Sequence, residues 1–231
     1  MADAPVLLIT GASSGIGAET ARAARRAGFR VVLAARREER IGALADELGG
    51  DEWALPVPTD VTEWDDQRAM ADSALERFGR IDVAVANAGF GAKRGFLEET
   101  PEHWKAMVLT NVYGCALTIR AVLGHMKERS AGHVVLLSSV AGRRALPGSL
   151  YSATKWAVTA MGEALRQEVN GAGIRVTLVE PGVVDTPFFD SPPDMEALQP
   201  EDIAAAILYA VTQPARVDVN EILVRPTAQD S

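Results

Sequence analysis

The chain has 231 residues, of which 48% are apolar and 23% are charged. This composition is that of an ordinary globular protein, and it excludes a disordered, collagen-like or low-complexity chain. The net charge of -8 disfavours binding to nucleic-acid backbones and to anionic membrane surfaces.

The N-terminus and the cysteine content point to the cytoplasm. Residues 1–11 lack a basic region, and their apolar run is too short for a signal peptide. Nowhere do enough apolar residues run together to predict a transmembrane helix. The one cysteine, Cys115, cannot form an intrachain disulfide, and no cluster of Cys and His has metal-ligand spacing. We therefore expect a metal-free cytoplasmic protein.

Short apolar runs alternate with longer amphipathic stretches, and this alternation predicts strand–helix units on a parallel sheet. The predicted strands are residues 5–10, 30–35, 53–56, 81–86, 132–138, 175–180 and 221–224. Helical patterns cover residues 15–27, 38–48, 63–78, 101–129, 150–171 and 200–212. Most strands lack polar alternation, as expected where helices cover both faces. We predict a single α/β domain over residues 1–231, with a doubly wound parallel sheet of about seven strands.

Local signals predict some helix starts and one loop. Thr62 with Asp65 three residues later predicts a capping box, and Thr100 predicts an N-cap before a proline. Residues 186–200 are rich in proline and are expected to form a short lid. Within this segment, Phe188 and Phe189 are expected either to cover a substrate or to anchor the loop to the core.

The first predicted strand leads into a glycine-rich turn, TGASSGIG, at residues 10–17. Its glycines allow a tight turn and a close backbone approach, so that the amides at the start of the next helix can hold a phosphate. Ser13 and Ser14 add hydroxyl donors. The turn therefore predicts a dinucleotide site, although a purely structural bend, with the serines as turn formers, also suits this sequence.

The end of the second predicted strand bears on the choice of cofactor. Ala35 stands where a carboxylate would accept hydrogen bonds from the ribose of NAD, and Arg36 and Arg37 follow it. A guanidinium there pairs with the 2′-phosphate of NADP, and we expect Arg36 to make this contact with Arg37 as support. Since arginine is common throughout this chain, a solvated surface role is the alternative. We expect NADP in preference to NAD.

Tyr151 and Lys155 are four positions apart in a helical stretch and therefore share a face. An ammonium beside a phenol lowers the pKa of the phenol toward the range of a general acid. Ser139 follows the preceding strand, where an open α/β sheet places its ligand site, and Asn111 lies in the helix before that strand. Taken alone, the Tyr151 and Lys155 pair also suits a helix-surface contact.

This order of motifs resembles the short-chain dehydrogenase/reductase family from residue 6 to residue 226. The resemblance implies a Rossmann-like fold and an NADP-dependent oxidoreductase that transfers a hydride between NADP(H) and a carbonyl or secondary alcohol. It implies that Tyr151 donates or accepts the proton and that Lys155 lowers the pKa of Tyr151 and holds the nicotinamide ribose. It assigns Ser139 to polarising the substrate oxygen and Asn111 to a water-linked proton relay.

Many residues are expected to contact the cofactor, through the turn, the arginines or the resemblance. They are Gly11, Ser13, Ser14, Gly15, Ile16, Gly17, Arg36, Arg37, Asp60, Val61, Asn87, Ala88, Gly89, Tyr151, Lys155, Pro181, Gly182, Val184 and Thr186. The sequence departs from the family pattern at Ala86, where the family usually has Asn. It also departs in residues 186–200, which form a shorter substrate-covering segment than usual.

The resemblance also bears on partners and on a rival function. We expect a homodimer or homotetramer that pairs through residues 101–129 and 150–171, whose outer faces are predicted to include Ala116, Ile119, Val158 and Met161. The partner molecule would be a small carbonyl or alcohol substrate. The alternative function is a catalytically inactive dinucleotide-sensing or scaffold protein of the same fold. The presence of the whole catalytic set speaks against it.

Overall fold

The computed structural model describes residues 4–188 and 194–229. Within them, seven strands form one sheet in the order β3-β2-β1-β4-β5-β6-β7. The strands are β1 (Val6–Thr10), β2 (Arg30–Ala35), β3 (Ala54–Pro58), β4 (Val83–Ala86), β5 (Gly132–Leu137), β6 (Ile174–Pro181) and β7 (Glu221–Val224). All neighbouring strands run parallel. The predicted doubly wound α/β fold is confirmed.

Seven α-helices connect these strands in the described part of the chain. They are α1 (Gly15–Arg26), α2 (Glu38–Glu47), α3 (Trp64–Phe78), α4 (Pro101–Val108), α5 (Cys115–Arg129), α6 (Leu150–Glu168) and α7 (Pro200–Val211). A π-helical turn, Leu109–Gly114, joins α4 to α5, so the predicted helix over residues 101–129 is continuous but changes its hydrogen-bond register. Single 3₁₀ turns occupy Gly50–Glu52 and Val140–Gly142.

The unbroken apolar runs of the strands feed two hydrophobic cores, one on each face of the sheet. In β1, Leu7 and Ile9 pack into the core under α1, α2 and α7, whereas Val6 and Leu8 pack into the core under α3, α5 and α6. Successive side chains of a strand point to opposite faces, so a strand buried on both sides needs apolar residues at every position. This explains why the strands show no polar alternation.

Two helix starts test the capping predictions. The Thr100 hydroxyl accepts a hydrogen bond from the His103 amide at 3.2 Å, which confirms Thr100 as the N-cap of α4. The capping box at Thr62 is wrong, because α3 begins at Trp64 and its N-cap makes no side-chain bond. The Thr62 hydroxyl donates instead to the Asp60 carboxylate at 2.8 Å, in a local turn that competes with capping.

Within the described residues, Pro101–Arg129 is the one helical stretch with the length and hydropathy of a membrane-spanning helix. Met107, Val122 and Met126 are fully buried, and Val122 and Met126 belong to the core between α5 and the sheet. Packing in the core therefore accounts for its apolar character.

Candidate active site

The site lies where the strand order reverses, because β2 and β3 are added on one side of β1 and β4 to β7 on the other. β1 pairs with β2 on one side and with β4 on the other, so the connections that leave β1 and β4 diverge. Such a divergence opens a crevice at the carboxyl ends of the strands, and open α/β sheets bind their ligands there. The predicted site residues follow the carboxyl ends of β1 to β6.

The glycine-rich turn packs backbone against backbone. A Cβ atom at Gly17 would lie 2.3 Å from the Gly11 carbonyl oxygen, and Gly11 itself has φ +70. Gly15 has φ +54, and a Cβ there would lie 3.2 Å from the Thr186 side chain. These positions therefore require glycine, and the turn leaves bare backbone facing the loop that follows β6.

Asn87 and Ala88, after β4, are fixed to the same turn. The Thr10 hydroxyl accepts hydrogen bonds from the amides of Asn87 at 3.1 Å and Ala88 at 3.2 Å. The Asn87 side-chain amide donates to the Thr10 carbonyl at 2.8 Å. The two walls of the crevice are thus held together by hydrogen bonds near its base.

The arginines after β2 differ in their contacts. The Arg37 guanidinium donates to the hydroxyls of Ser13 at 2.7 Å and Ser14 at 2.8 Å, so it lies over the glycine-rich turn. Arg36 is also exposed, and its charge acts on the Asp60 carboxyl. Both cations therefore border the predicted nucleotide site, and Arg37 is the one that contacts the turn.

Asp60 and Val61 follow β3 on the same edge of the sheet. The Asp60 carboxylate accepts hydrogen bonds from the amide of Thr62 at 3.0 Å and from its hydroxyl at 2.8 Å. Burial acts to raise the pKa of Asp60, but these bonds and the charge of Arg36 outweigh it and lower the pKa. Asp60 is therefore a local anion that fixes the turn at Val61.

Ser139 begins the 3₁₀ turn that follows β5. Its hydroxyl oxygen accepts a hydrogen bond from the Ala141 amide at 3.1 Å, and the hydroxyl donates to the Pro181 carbonyl at 3.3 Å. Ser139 is thereby held between the ends of β5 and β6. The Ser139 hydroxyl lies near enough to the Tyr151 phenol to act on its pKa, so the two predicted catalytic hydroxyls belong to one site.

Tyr151 and Lys155 lie in the first turns of α6, which is capped by the Ser149 side chain. The Lys155 ammonium donates to the Leu137 carbonyl at 2.6 Å and lies 5.7 Å from the centre of the Tyr151 ring. The predicted pair is therefore a contact within the crevice, and Lys155 is almost fully buried. This excludes the helix-surface alternative.

Burial decides the proton affinities of this pair. It raises the pKa of Tyr151 to about 12, although the hydrogen bond with Ser139 acts to lower it. Burial also lowers the pKa of Lys155 to about 8. Burial is thus the dominant influence on the phenol in the chain alone, and the lowering of its pKa by Lys155 stays a prediction.

Asn111 lies in the π-helical turn and is buried. Its side chain accepts from the Phe90 amide at 3.0 Å and donates to the Phe90 carbonyl at 2.9 Å and the Thr154 hydroxyl at 3.1 Å. The Thr154 hydroxyl in turn donates to the Tyr151 carbonyl at 2.7 Å. π-Helical turns occur frequently at functional sites, and this one connects Asn111 to the helix of Tyr151.

Sequence reasoning did not single out Thr154 and Phe90. Thr154 could have been found, because it lies between Tyr151 and Lys155 on the same helix. Phe90 acts through its backbone, which leaves no side-chain signal in a sequence.

The loop after β6 completes the crevice. Pro181 accepts the hydrogen bond of Ser139, and Gly182 follows it. Val184 pairs with Leu198 in an isolated bridge, and its side chain packs in the core. Any contact of Val184 with a cofactor would therefore be made by its backbone. Thr186 approaches the glycine-rich turn at Gly15.

Phe188 lies against the predicted acid. Its ring meets the Tyr151 ring edge to face, with the centroids 5.5 Å apart. A Cβ atom at Gly91 would lie 2.7 Å from the Phe188 ring, so glycine is needed to accept this ring. Phe189, Pro192 and Pro193, which belong to the predicted lid, lie outside the described residues.

Cys115 and His133 are buried groups outside the predicted catalytic set. Cys115 packs in the core, and burial raises the pKa of its thiol to about 12, although the charge of Lys155 acts to lower it. Burial lowers the pKa of His133 to about 3. Over the part of the chain that the structure describes, no group of three or more His, Cys, Asp or Glu side chains could hold a metal ion.

The donor set fits a phosphate-bearing dinucleotide. A bare glycine backbone, two serine hydroxyls and exposed guanidinium groups lie on one side of the crevice. On the other side, a Cβ at Gly89 would lie 3.0 Å from the Asn111 side-chain oxygen and 3.8 Å from the Lys155 nitrogen. Groups suited to binding an anion and groups suited to proton transfer thus lie at the same carboxyl edge of the sheet.

Residues 5–197 match the family model of the short chain dehydrogenases. This protein belongs to the short-chain dehydrogenase family. An uncharacterized oxidoreductase of Staphylococcus saprophyticus is 41% identical to this short-chain dehydrogenase over 239 residues, covering 97% of this chain and 96% of the relative.

Solved structures agree with this assignment. The closed form of a serine dehydrogenase complexed with NADP+ superposes with a TM-score of 0.93 at 32% identity, covering 98% of this chain and 96% of that chain. An alcohol dehydrogenase from Thermococcus sibiricus complexed with 5-hydroxy-NADP has a TM-score of 0.89 at 32% identity, covering 99% of each chain. The protein is therefore an oxidoreductase of the short-chain dehydrogenase family.

Proposed function

We propose that this short-chain dehydrogenase interconverts a carbonyl compound and a secondary alcohol with NADP(H), and that Tyr151 is its general acid and base. The observation that carries the proposal is the contact of the buried Lys155 ammonium with the Tyr151 ring, 5.7 Å from its centre, with the buried Ser139 hydroxyl at the ends of β5 and β6 beside them. These groups open onto the same crevice as the glycine-rich turn.

In the direction of reduction, the bound nicotinamide supplies the hydride to the carbonyl carbon. The Tyr151 hydroxyl gives its proton to the developing alkoxide, and the Ser139 hydroxyl donates a hydrogen bond to the same oxygen. A positioned acid of this kind contributes about 10²- to 10⁴-fold in rate. In the direction of oxidation, Tyr151 accepts the proton of the alcohol.

Lys155 and Asn111 support this proton transfer. The Lys155 ammonium borders the predicted position of the nicotinamide ribose and stabilises the phenolate form of Tyr151 by its charge. Asn111 donates a hydrogen bond to the Thr154 hydroxyl, which in turn donates to the Tyr151 carbonyl. Asn111 also belongs to a water-linked relay that exchanges the proton of Tyr151 with solvent.

The cofactor preference rests on the cations after β2. Arg37 already contacts Ser13 and Ser14, so its guanidinium is placed to meet a 2′-phosphate above the turn, with Arg36 beside it. Ala35 offers no carboxylate to a free ribose hydroxyl. Structural neighbours of this chain are complexed with NADP and, in one case, with NADH, so they support a nicotinamide dinucleotide, and the preference for NADP rests on the arginines.

The substrate would enter beside Phe188. The edge-to-face contact with Tyr151 puts an apolar ring next to the proton donor, and Phe188 remains 40% exposed. Residues 186–200 are proposed as a short lid that leaves the crevice accessible. This arrangement suits bulky or varied carbonyl compounds.

Self-association is proposed for the surface around α4 to α6. Val108, Leu109, Tyr113 and Trp156 are large apolar side chains exposed there. The prediction that Ile119 and Val158 lie on the outer faces is wrong, because both side chains pack in the core. A homodimer or homotetramer, located in the cytoplasm, would cover this surface. Light scattering at micromolar concentration tests it, and a monomeric mass would contradict it.

The decisive test of the reaction is turnover by the purified protein. Oxidation of NADPH is followed by nicotinamide absorbance with a panel of ketones, aldehydes and quinones, and NADH is assayed in parallel. We expect turnover of at least one class and faster reaction at low cofactor concentration with NADPH. Tight NADPH binding without turnover on any panel member would favour the dinucleotide-sensing alternative.

A further inference from the structure

A buried amide side chain lies between the nucleotide side of the crevice and the segment that carries Asn111. Gln67, on α3, has no exposed surface. Its side-chain nitrogen lies 3.0 Å from both the Val61 carbonyl oxygen and the Gly114 carbonyl oxygen. One side chain therefore bonds two segments that are 53 positions apart in the sequence, from 61 to 114.

The hydrogen bonds of this amide can all be satisfied at once. Its two N–H groups donate to Val61 and Gly114, and its oxygen accepts from the Thr118 hydroxyl at 3.2 Å. The Thr118 hydroxyl also lies 3.0 Å from both the Gly114 carbonyl oxygen and the Gln67 nitrogen, so it belongs to the same network. A buried amide that loses one of its partners keeps an unsatisfied polar group, which disfavours any movement that separates the segments. The network therefore resists displacement of either carbonyl.

The two segments also touch directly. A Cβ atom at Gly114 would lie 2.8 Å from a Val61 methyl group, so the absence of a side chain at Gly114 allows Val61 to pack against this backbone. Gly114 is the last residue of the π-helical turn, and Asn111 is in the middle of it. Val61 follows Asp60, and the family resemblance implies that these two residues contact the adenine of the cofactor.

We propose that Gln67 is a positioning residue that couples occupation of the adenine side, at Asp60 and Val61, to the placement of the π-helical turn and hence of Asn111. This inference rests on the proposed function, because it takes the nucleotide to bind beside Val61. A nucleotide that fixes Val61 thereby also restrains the Gly114 carbonyl, through the shared amide. Asn111 is consequently held in place before a substrate arrives.

Hydrogen exchange of the purified full chain tests this coupling. The probe is adenosine 2′,5′-bisphosphate, which carries the adenine half of NADP and no nicotinamide. In the wild type we expect slower exchange at residues 60–63 and, by about fivefold, at residues 109–114, which is the effect of one ordinary hydrogen bond. In Gln67→Met, which keeps the length of the side chain, we expect slower exchange only at residues 60–63.

Matched variants separate coupling from loss of stability. Met70→Leu changes another fully buried side chain of α3, and it should retain the slower exchange of both segments. If Gln67→Met does not fold, Gln67→Leu serves instead, because it also removes the amide while it leaves the contact of the Thr118 hydroxyl with the Gly114 carbonyl in place. Thr118→Val then measures the share of that hydroxyl. A steady-state readout accompanies exchange, with a lower kcat expected for Gln67→Met than for Met70→Leu.

The outcomes distinguish the two proposals. Absence of bisphosphate binding to the wild type would overturn the proposed NADP site, and this inference with it. Binding that slows exchange at residues 60–63 but leaves residues 109–114 unchanged would overturn the coupling alone. Equal effects on both segments in the wild type and in the Gln67 variant would also overturn it.

Discussion

The two walls of the crevice are built in different ways. On the β1–β3 side, the turn at residues 10–17 relies on glycine backbone, and the charged groups around it are exposed arginines. On the β4–β6 side, the hydroxyl of Ser139 and the ammonium of Lys155 are buried, each with a backbone carbonyl partner.

The nucleotide wall therefore depends on the shape of its backbone, whereas the catalytic wall depends on the proton affinity of its buried side chains. The nucleotide wall is defined by close backbone contacts, where even one added methyl group would collide, and its charges stay in solvent, where they change selectivity more than stability. The catalytic wall carries side chains whose pKa values are displaced by burial. We therefore expect substitutions on the nucleotide wall to affect folding or cofactor choice, and those on the catalytic wall to affect the chemical step.

The largest effect is expected on the catalytic wall. Tyr151→Phe should lower kcat by at least about 100-fold, because it removes the proton donor, while nucleotide binding stays close to normal. Steady-state kinetics and a fluorescence titration with NADPH measure the two quantities. Tyr209→Phe, at an exposed tyrosine of α7, is the control. Turnover within about threefold of the wild type in Tyr151→Phe would exclude general acid catalysis by this residue.

The nucleotide wall should show its effect in folding. Gly17→Ala places a methyl group against the Gly11 carbonyl, and we expect it to lower the free energy of unfolding by about 1–3 kcal/mol. Gly42→Ala, at a helical glycine with no atom within 4 Å of the added carbon, should raise that free energy by about 0.5–1 kcal/mol. Urea denaturation measures both variants. Equal effects of the two substitutions would contradict the close packing of the turn.

A smaller effect connects the two walls through charge. Without nucleotide, the Tyr151 phenol should titrate above the ordinary value, because burial raises its pKa to about 12. Addition of NADP+ should lower that pKa by about one unit, equivalent to ~1.4 kcal/mol, because the positive charge of the oxidised nicotinamide favours the phenolate form of Tyr151. The difference in ultraviolet absorbance between wild type and Tyr151→Phe follows the phenolate. An unchanged or increased pKa on addition of NADP+ would contradict the idea.

The smallest effect concerns cofactor choice. Arg37→Ala should weaken NADP binding about fivefold and leave NAD binding unchanged, and the loss should shrink at high salt because the guanidinium is exposed. Arg40→Ala, at a nearby exposed arginine, is the control, and Arg36→Ala measures the share of the neighbouring cation. A loss in Arg36→Ala with none in Arg37→Ala would assign the 2′-phosphate to Arg36.

The sequence predicts this fold well because its signals are local and repeated. Every predicted strand and helix occurs with small shifts at its ends, since runs of apolar residues and amphipathic stretches fix the type of element. The ends depend on local competition, as at Thr62, whose hydroxyl bonds to Asp60 instead of capping α3. Which face of a helix is buried depends on how the helix packs in three dimensions. For this reason the prediction that Ile119 and Val158 face outward is wrong.

The candidate site is less accessible to sequence reasoning where backbone groups and burial decide. The glycine spacing and the pair of Tyr151 and Lys155 indicate the crevice, because their chemistry is specific to residue type. Phe90 contributes only backbone atoms to the site. Gln67 is buried, but in the sequence it looks like any polar residue on the exposed side of a helix. The raised pKa of Tyr151 follows from burial in three dimensions, which spacing along the chain does not contain.

The thiol of Cys115 can report how often α5 separates from the sheet. Alkylating reagents attack thiolates, and Cys115 is buried with a pKa raised to about 12, so the folded chain resists iodoacetamide. A molecule whose α5 helix separates from the sheet exposes this sulfur and acquires one label. Because the chain has one cysteine, the labelled fraction seen by mass spectrometry measures how often α5 detaches from the sheet, with no engineered tag.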